Sequence, residues 1–420
     1  MTTITAKLRS YCGLLGGRDF RLLFTGQLVS QFGDWINRVA LLILAYRLTG
    51  QGIAVALVLL AQLLPRVIMS PFGGVLADRY PKRRLMLLTD LLRAGLAASL
   101  VFVNSVAGLW WAVVAVVLLH LLASIFNPAR NAATPALVPP EGLGAANALN
   151  NGSAQLALFL GPALGGGLVA LFGVDVVFLI NAATFIFSAA LIWLMRLPEP
   201  SHRGLTPGAL GRDLREGWAT IVERRPLLLL CGYIFIGSIV AIGLNVLLVG
   251  LLDTSLGQPT ERLGLLLTSV GLGMLVGAVP ALALYQRFAP LPLALVVTFG
   301  VILTMVAIGA TRSFAIVAVA LFANGVLTAI SDVVIVTTAQ SSVPEDRRGR
   351  VMGLIFWINA LGQAVGALGG GLLPRAVGNV NATLILSGVC TILFLLLMPP
   401  AIGQLRSGVC KVPTESAIET

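Results

Sequence analysis

The chain is poor in charged and metal-binding residues. Only 11% of its 420 residues are Asp, Glu, Lys or Arg, whereas about 25% is usual in a soluble globular domain. Its two histidines and four cysteines are scattered, without the spacing of a zinc site or a redox motif. None of its three lysines stands in a G-x-x-x-x-G-K-S/T phosphate loop. The sequence therefore argues against a metalloprotein and against a nucleotide motor of that type, and we expect no metal and no cofactor.

Hydrophobic residues, 57% of the chain, are gathered into long blocks. A helix needs about 20 apolar residues to cross the roughly 30 Å hydrocarbon core of a bilayer. Twelve blocks approach or reach this length, at approximately 22–46, 52–76, 85–103, 107–127, 146–172, 174–195, 227–251, 263–286, 291–311, 314–338, 351–374 and 381–405. The sequence therefore predicts an all-α integral membrane protein with twelve transmembrane helices.

The net charge of +11 has a simple explanation in such a protein. If the N-terminus is cytoplasmic and the spans alternate in direction, most Lys and Arg residues fall in the cytoplasmic segments, which is the positive-inside bias. The basic residues then set the orientation in the bilayer, and no nucleic-acid partner is needed. We expect both termini on the cytoplasmic side.

The two halves of the chain resemble each other. VPPEGLG at Val138 returns as VPEDRRG at Val343, and GPALGGGL at Gly161 returns as GALGGGL at Gly366. Parallel repeats of this kind are typical of transporters that move two helix bundles about a central site. The predicted organisation is an N-terminal six-helix bundle (1–196), a cytoplasmic linker with a short amphipathic helix (197–225), a C-terminal six-helix bundle (226–406) and a cytoplasmic tail (407–420).

A basic motif, GGVLADRYPKRRLMLL, follows the second predicted span. A carboxylate in such basic surroundings can accept charge-assisted hydrogen bonds from arginines or from the N-terminus of a helix. The motif resembles the signature loop of the major facilitator superfamily, and the matching residues are Gly74, Asp78, Arg79, Arg83 and Arg84. The resemblance implies a latch that closes the cytoplasmic side. An ordinary positive-inside loop is the alternative.

The resemblance to this superfamily extends over nearly the whole chain. The segment Asn127–Gly173 is similar to the fourth-to-fifth helix region of drug, macrolide and siderophore exporters with twelve helices. FGD at Phe32 together with NPAR at Asn127 is similar to lysophospholipid transporters of the same superfamily. The resemblance implies a monomer in a bacterial inner membrane, with a substrate cavity near the middle of the bilayer.

One face of the first predicted span is polar. Its residues recur at helical spacing: Gln27, Ser30, Gln31, Asp34, Asn37 and Arg38. Because charge inside a bilayer is costly, such a face must line the bundle interior or a water-filled cavity. Asp34 and Arg38 are four residues apart and are therefore expected to pair. The pair is either a structural ion pair or a proton-coupling site in which Asp34 gains and loses a proton.

The tenth predicted span has a second polar face, formed by Asn324, Thr328, Ser331 and Asp332. Together with Gln27, Gln31 and Asn37 of the first span, the uncharged members are candidates for lining a substrate cavity. Asp332 is a second candidate for proton coupling, and Arg66 and Arg130 are candidate charge partners of the acids.

These observations predict a secondary transporter that exports a small amphipathic compound, such as a drug or macrolide, in exchange for protons. The expected partners are that small molecule, protons and the lipid bilayer. The alternatives are a lysophospholipid or siderophore exporter and an uncoupled facilitator. A polytopic membrane enzyme or a sensor is a further alternative, but the sequence contains no clustered catalytic side chains at one membrane face.

Overall fold

The computed structural model describes residues 14, 16–139, 142–197, 218, 222, 225–341 and 345–406. Within these residues the chain is helical, and no strand is formed. The predicted linker helix and the tail 407–420 lie almost wholly outside the described residues. Ten long helices are described, here numbered in chain order.

Five helices come from the first half of the chain. They are α1 (Arg18–Thr49), α2 (Gly52–Arg79), α3 (Lys82–Ser99), α4 (Leu109–Ala133) and α5 (Leu143–Leu194). Five more come from the second half: α6 (Arg225–Thr254), α7 (Leu263–Arg287), α8 (Pro290–Ala310), α9 (Phe314–Ser341) and α10 (Glu345–Arg406). Among the described segments, nine are long and apolar enough to cross a bilayer. The chain is therefore a multi-pass helical membrane protein, as predicted.

The last helix of each half is too long for one crossing. Helix α5 has 52 residues and α10 has 62, which at 1.5 Å per residue correspond to about 80 and 90 Å. Each is interrupted at one glycine with a positive φ, 79° at Gly173 and 81° at Gly378. A side chain disfavours that conformation, and glycine does not. Both interruptions fall between two predicted spans, and the exact number of crossings stays a prediction.

The chain divides into two compact units. The N-terminal unit comprises Met1–Thr49 with Leu57–Pro207, and the C-terminal unit comprises Gly50–Ala56 with Gly208–Thr420. The predicted boundaries at 196 and 226 stay predictions.

Each unit contains a pair of helices in close contact through glycine. In the N-terminal unit, Gly161 and Gly165 of α5 face Trp35 and Ile36 of α1. In the C-terminal unit, Gly366 of α10 faces Ile239 of α6 in the same way. Glycine allows two membrane helices to approach until their backbones touch. In the N-terminal unit α3 also packs against both α4 and α5.

The distribution of polarity is that of a membrane protein. Large apolar side chains such as Phe102, Leu171 and Val279 are exposed on the outer surface. Asp90 and Arg93 of α3 are buried instead. Because hydrocarbon does not solvate charge, the polar side chains collect inside the units, where they form the sites described next.

Candidate functional site

The polar face of α1 lines a cavity in the N-terminal unit. The cavity has a volume of about 400 Å³, and all six predicted residues of that face contribute to its wall. Other charged or titratable wall residues are Arg93 of α3 and His120 and Arg130 of α4. The helical spacing of the polar residues thus identified a face that turns to the inside of the unit.

Asp34 is held by an arginine of another helix. Nη2 of Arg93 donates to both carboxylate oxygens of Asp34, at 3.0 Å and 2.9 Å. The Asp34 side chain is 46% exposed, whereas that of Arg93 is 7% exposed and its guanidinium carbon lies 4.0 Å from the centre of the Phe185 ring. The ion pair therefore joins α1 to α3 at the wall of the cavity, with the carboxylate on the accessible side.

This geometry corrects the expected pairing of Asp34 with Arg38. The guanidinium of Arg38 lies over the ring of Trp35, 4.8 Å from its centre, and the ion pair described for Asp34 is made with Arg93. Helical spacing shows only that Arg38 is within reach of Asp34. A planar guanidinium stacks favourably on an indole ring, and α3, which packs against α5 as α1 does, supplies the partner for the acid.

A further acid, Asp90, lies beside Arg93 and was not among the predicted site residues. It lies on α3 one turn before Arg93, its side chain is fully buried, and its Oδ1 is 3.6 Å from Nη1 of Arg93. Neither of its carboxylate oxygens has a hydrogen-bond partner among the described residues. Its signal in the sequence was the same as that of Asp34: an aspartate inside an apolar span, with an arginine one turn away.

The amides of the α1 face connect it to α4 and α5. Gln27 donates to the hydroxyl of Ser188 at 3.4 Å and accepts from Arg130 at 3.4 Å. The hydroxyl of Ser153 donates to Gln31 at 3.2 Å. Arg130, a predicted charge partner of the acids, thus reaches the α1 face through an amide. The side chain of Arg66 lies outside those that the structure describes.

The C-terminal unit has its own cavity, of about 210 Å³. Its wall includes the four predicted residues of the second polar face: Asn324, Thr328, Ser331 and Asp332. Ser331 and Tyr233 share a hydrogen bond of 2.8 Å, and Asn324 donates to Thr304 at 3.2 Å. Most of the remaining wall is apolar, with residues such as Val297, Met305 and Leu393.

Asp332 is the one charged residue in the described wall of this cavity. Its side chain is exposed, and it makes no ion pair within the described part of the chain. The second predicted acid thus differs from the first, since Asp34 already has an arginine and Asp332 does not.

The predicted gate motif is described only in part. Arg83 donates through Nε to the carbonyl of Ile192 at 3.2 Å and through Nη2 to the carbonyl of Trp193. It therefore caps the C-terminal end of α5, where a positive charge is favourable. Arg84 is exposed. The surroundings of Gly74 and the side chains of Asp78 and Arg79 lie outside what the structure describes. The latch therefore stays a prediction.

Two helical units, each with a cavity that is walled by membrane-spanning helices and contains an aspartate, are typical of a solute transporter. A family model described as "Transmembrane secretion effector" (MFS_3) matches residues 13–408. The chain belongs to this family of major facilitator superfamily transporters, and it is not an enzyme.

Two of the similar proteins are named as exporters. The chain is 26% identical over 396 residues to macrolide efflux protein A of Streptococcus pyogenes, covering 92% of this chain and 96% of the relative. It is 33% identical over 346 residues to the enterobactin exporter EntS of Salmonella typhimurium, covering 80% of each chain. An uncharacterised MFS-type transporter, YfiS of Bacillus subtilis, is 28% identical over 379 residues, with 86% and 88% covered.

Solved structures share the fold. A bacterial homologue of the lysosomal transporter Spinster superposes with a TM-score of 0.69 at 14% identity, over 93% of this chain and 97% of that one. The nucleoside transporter NupG gives a TM-score of 0.73 at 10% identity, over 90% and 99%. At such identities the likeness concerns the fold alone.

Proposed function

We propose that the protein exports small amphipathic molecules by alternating access and that inward movement of protons drives the export. The observation that carries this proposal is the Asp34–Arg93 ion pair, which places a solvent-accessible carboxylate in a cavity and ties it to a second helix. A proton on Asp34 neutralises the partner of Arg93. Protonation therefore weakens the link between α1 and α3, which is a direct way to couple a proton to a helix movement.

The substrate class follows from the second cavity. Its walls are largely apolar, and Asp332 offers a single carboxylate without an ion pair in the described part of the chain. An accessible carboxylate beside apolar walls can form a charge-assisted hydrogen bond with a bound cation. A lipophilic amine, such as a macrolide that carries an amino sugar, would bring both the apolar surface and the cation. Asp332 is then a substrate-binding acid or a second proton site.

A second candidate, an anionic substrate, is favoured by the first cavity. Its wall has three arginines, Arg38, Arg93 and Arg130, against the single carboxylate of Asp34. Guanidinium groups bind carboxylates and phosphates well and attract other anions. A siderophore or a lysophospholipid therefore remains the alternative substrate, and an uncoupled facilitator the alternative mechanism.

The test uses inverted membrane vesicles loaded with a pH-sensitive dye. A macrolide, a catecholate siderophore and a lysophospholipid are added separately to vesicles with an imposed proton gradient. We expect the macrolide to dissipate the gradient in vesicles with the native protein and not in those with Asp34→Asn. Uptake of a compound without proton movement would identify an uncoupled facilitator, and a response to the siderophore alone would identify the second candidate.

We further propose an inner-membrane location with both termini and the linker 197–225 in the cytoplasm. The support is the asymmetry of the basic residues along the chain. A single cysteine placed in the linker is expected to resist an impermeant thiol reagent added to intact cells. Labelling of this cysteine from outside would show that the linker is not cytoplasmic and that the proposed orientation is wrong.

A further inference from the structure

One guanidinium lies between two carboxylates in the N-terminal unit. Arg93 makes its two hydrogen bonds to Asp34 through Nη2. Its Nη1 is 3.6 Å from Oδ1 of Asp90, which is longer than the hydrogen-bond range of about 2.7–3.2 Å. Asp34 thus holds the arginine, and Asp90 stands beside it without forming a hydrogen bond.

The two carboxylates differ in access. Asp34 is 46% exposed to the cavity, whereas the side chain of Asp90 is fully buried and neither of its oxygens has a hydrogen-bond partner among the described residues. Nε of Arg93 is also without a partner there. A buried carboxylate without a hydrogen bond of normal length is costly. The nearest cation that could satisfy it already sits within 4 Å.

The surroundings supply few competitors. Helix α5 contributes Phe185, whose ring stacks on Arg93, and the buried side chains of Asn181 and Ser188, none of which is titratable. The other charged or titratable residues in the described wall of the cavity are Arg38 on α1 and His120 and Arg130 on α4. Arg38 lies over Trp35, and Arg130 donates to Gln27. The described acids around Arg93 are therefore Asp34 and Asp90.

We infer that Asp90 is a positioning residue that competes with Asp34 for Arg93 and thereby sets the pH at which Asp34 exchanges its proton. When Asp34 is ionised, two carboxylates share one guanidinium. When Asp34 takes up a proton, one carboxylate and one guanidinium remain, and the charges balance. Closing the 3.6 Å separation to a hydrogen bond needs a shift of less than about 1 Å, so Arg93 passes to Asp90 without a rearrangement of the backbone.

The inference rests on the proposed function in one respect, the assignment of Asp34 as the residue that exchanges a proton. Without Asp90, protonation of Asp34 would leave the buried guanidinium of Arg93 without a carboxylate partner, which is unfavourable. Asp90 removes that cost, and as a negative neighbour it also favours the protonated form of Asp34. Both effects act in the same direction. An uncharged side chain at position 90 therefore makes Asp34 harder to protonate.

The test needs no transported substrate. The full-length protein is reconstituted in liposomes, and the infrared carbonyl band of protonated carboxyl groups is recorded as a function of pH. The band that disappears in Asp34→Asn is assigned to Asp34. We expect Asp90→Asn to move the titration midpoint of this band to lower pH by about one unit. We expect Asp90→Glu, whose carboxylate reaches further toward Arg93, to move the midpoint to higher pH.

The outcomes separate this inference from the proposed function. If the Asp34 band titrates in the native protein and has the same midpoint in both variants, Asp90 has no positioning role, while Asp34 keeps its place in coupling. If no band titrates in the native protein that depends on Asp34, the coupling site is wrong and the inference fails with it. Thermal unfolding of each variant checks folding, and Asp90→Glu alone decides the matter if Asp90→Asn does not fold.

Discussion

The cavity of the N-terminal unit and that of the C-terminal unit differ in chemistry. The first has a volume of about 400 Å³ and a wall with Asp34 and three arginines. The second has about 210 Å³, mostly apolar walls and Asp332 as its one charged residue in the described part. In the first an acid is already paired with an arginine, and in the second the acid is open to a cation from outside. The difference favours separate roles for the two cavities, with proton exchange in the first and substrate binding in the second.

The largest effect is expected from Asp34→Asn. The amide resembles the protonated acid and cannot release a proton, so the ion pair between Asp34 and Arg93 cannot form again. Accumulation of substrate against a gradient should fall to the level of vesicles without the protein, while passive exchange persists. The measurement is gradient-driven uptake into inverted vesicles. If this variant still pumps normally with an unchanged pH dependence, Asp34 is not the coupling residue, and Asp332 becomes the candidate.

Asp332→Asn is the matched substitution in the other cavity. Removing a carboxylate that binds an ammonium group costs about 1.4 kcal/mol or more, which is about tenfold in affinity. We expect the KM for a cationic substrate to rise about tenfold and the KM for an uncharged analogue of similar size to change little. The comparison is made by concentration-dependent uptake of both compounds. Loss of proton movement with unchanged KM would reverse the roles of the two acids.

The gate motif is a further difference between the halves. The corresponding segment of the second half, GAVPALALYQRF from Gly277, contains Arg287 but no acid. Asp78→Asn removes the charge and keeps the size. We expect a smaller loss of transport than with Asp34→Asn, together with greater reactivity of cysteines engineered near the cytoplasmic ends of the helices. Arg84→Gln, at an exposed site of the same motif, is the control. If Asp78→Asn and Arg84→Gln show the same transport and the same cysteine reactivity, the motif sets the membrane orientation and does not form a latch.

The smallest effects are expected at the two glycines with positive φ, Gly173 and Gly378. Substitution should have the same effect in both halves of the chain. Gly173→Ala and Gly378→Ala each force a side chain into a left-handed backbone conformation, at a cost of about 1–2 kcal/mol. Each variant should unfold at a lower temperature, with transport retained below that temperature. Gly152→Ala, at an exposed helical site with open space around it, should be neutral or stabilising. A large loss at only one of the two glycines would show that the breaks are not equivalent.

Much of the site was predictable because it lies along single helices. The residues from Gln27 to Arg38 and from Asn324 to Asp332 recur at helical spacing in apolar surroundings, and this pattern alone places them on one inward face. The breaks at Gly173 and Gly378 also have a local cause and fall between apolar blocks. The physical cause of each of these features lies within one or two neighbouring spans, so the local sequence is enough to predict it.

The partners of these residues could not be predicted in the same way. Arg93 reaches Asp34 because α1 and α3 both pack against α5, and 59 residues of chain separate the two side chains. Arg38 is closer in sequence, and sequence spacing therefore favoured it. The contact of Arg83 with Ile192 at the end of α5 spans a still longer stretch, 109 residues. Such pairings depend on how the helices pack against each other. The periodicity of residues within one helix carries no information about that packing.

The break at Gly173 also bears on how the protein is made. A single non-helical residue separates the two arms of α5, so no stretch of hydrophilic chain lies between them. During synthesis, the first arm has no polar segment behind it that could hold it in place while the second arm emerges. The two arms are therefore expected to leave the insertion machinery together, as one hairpin.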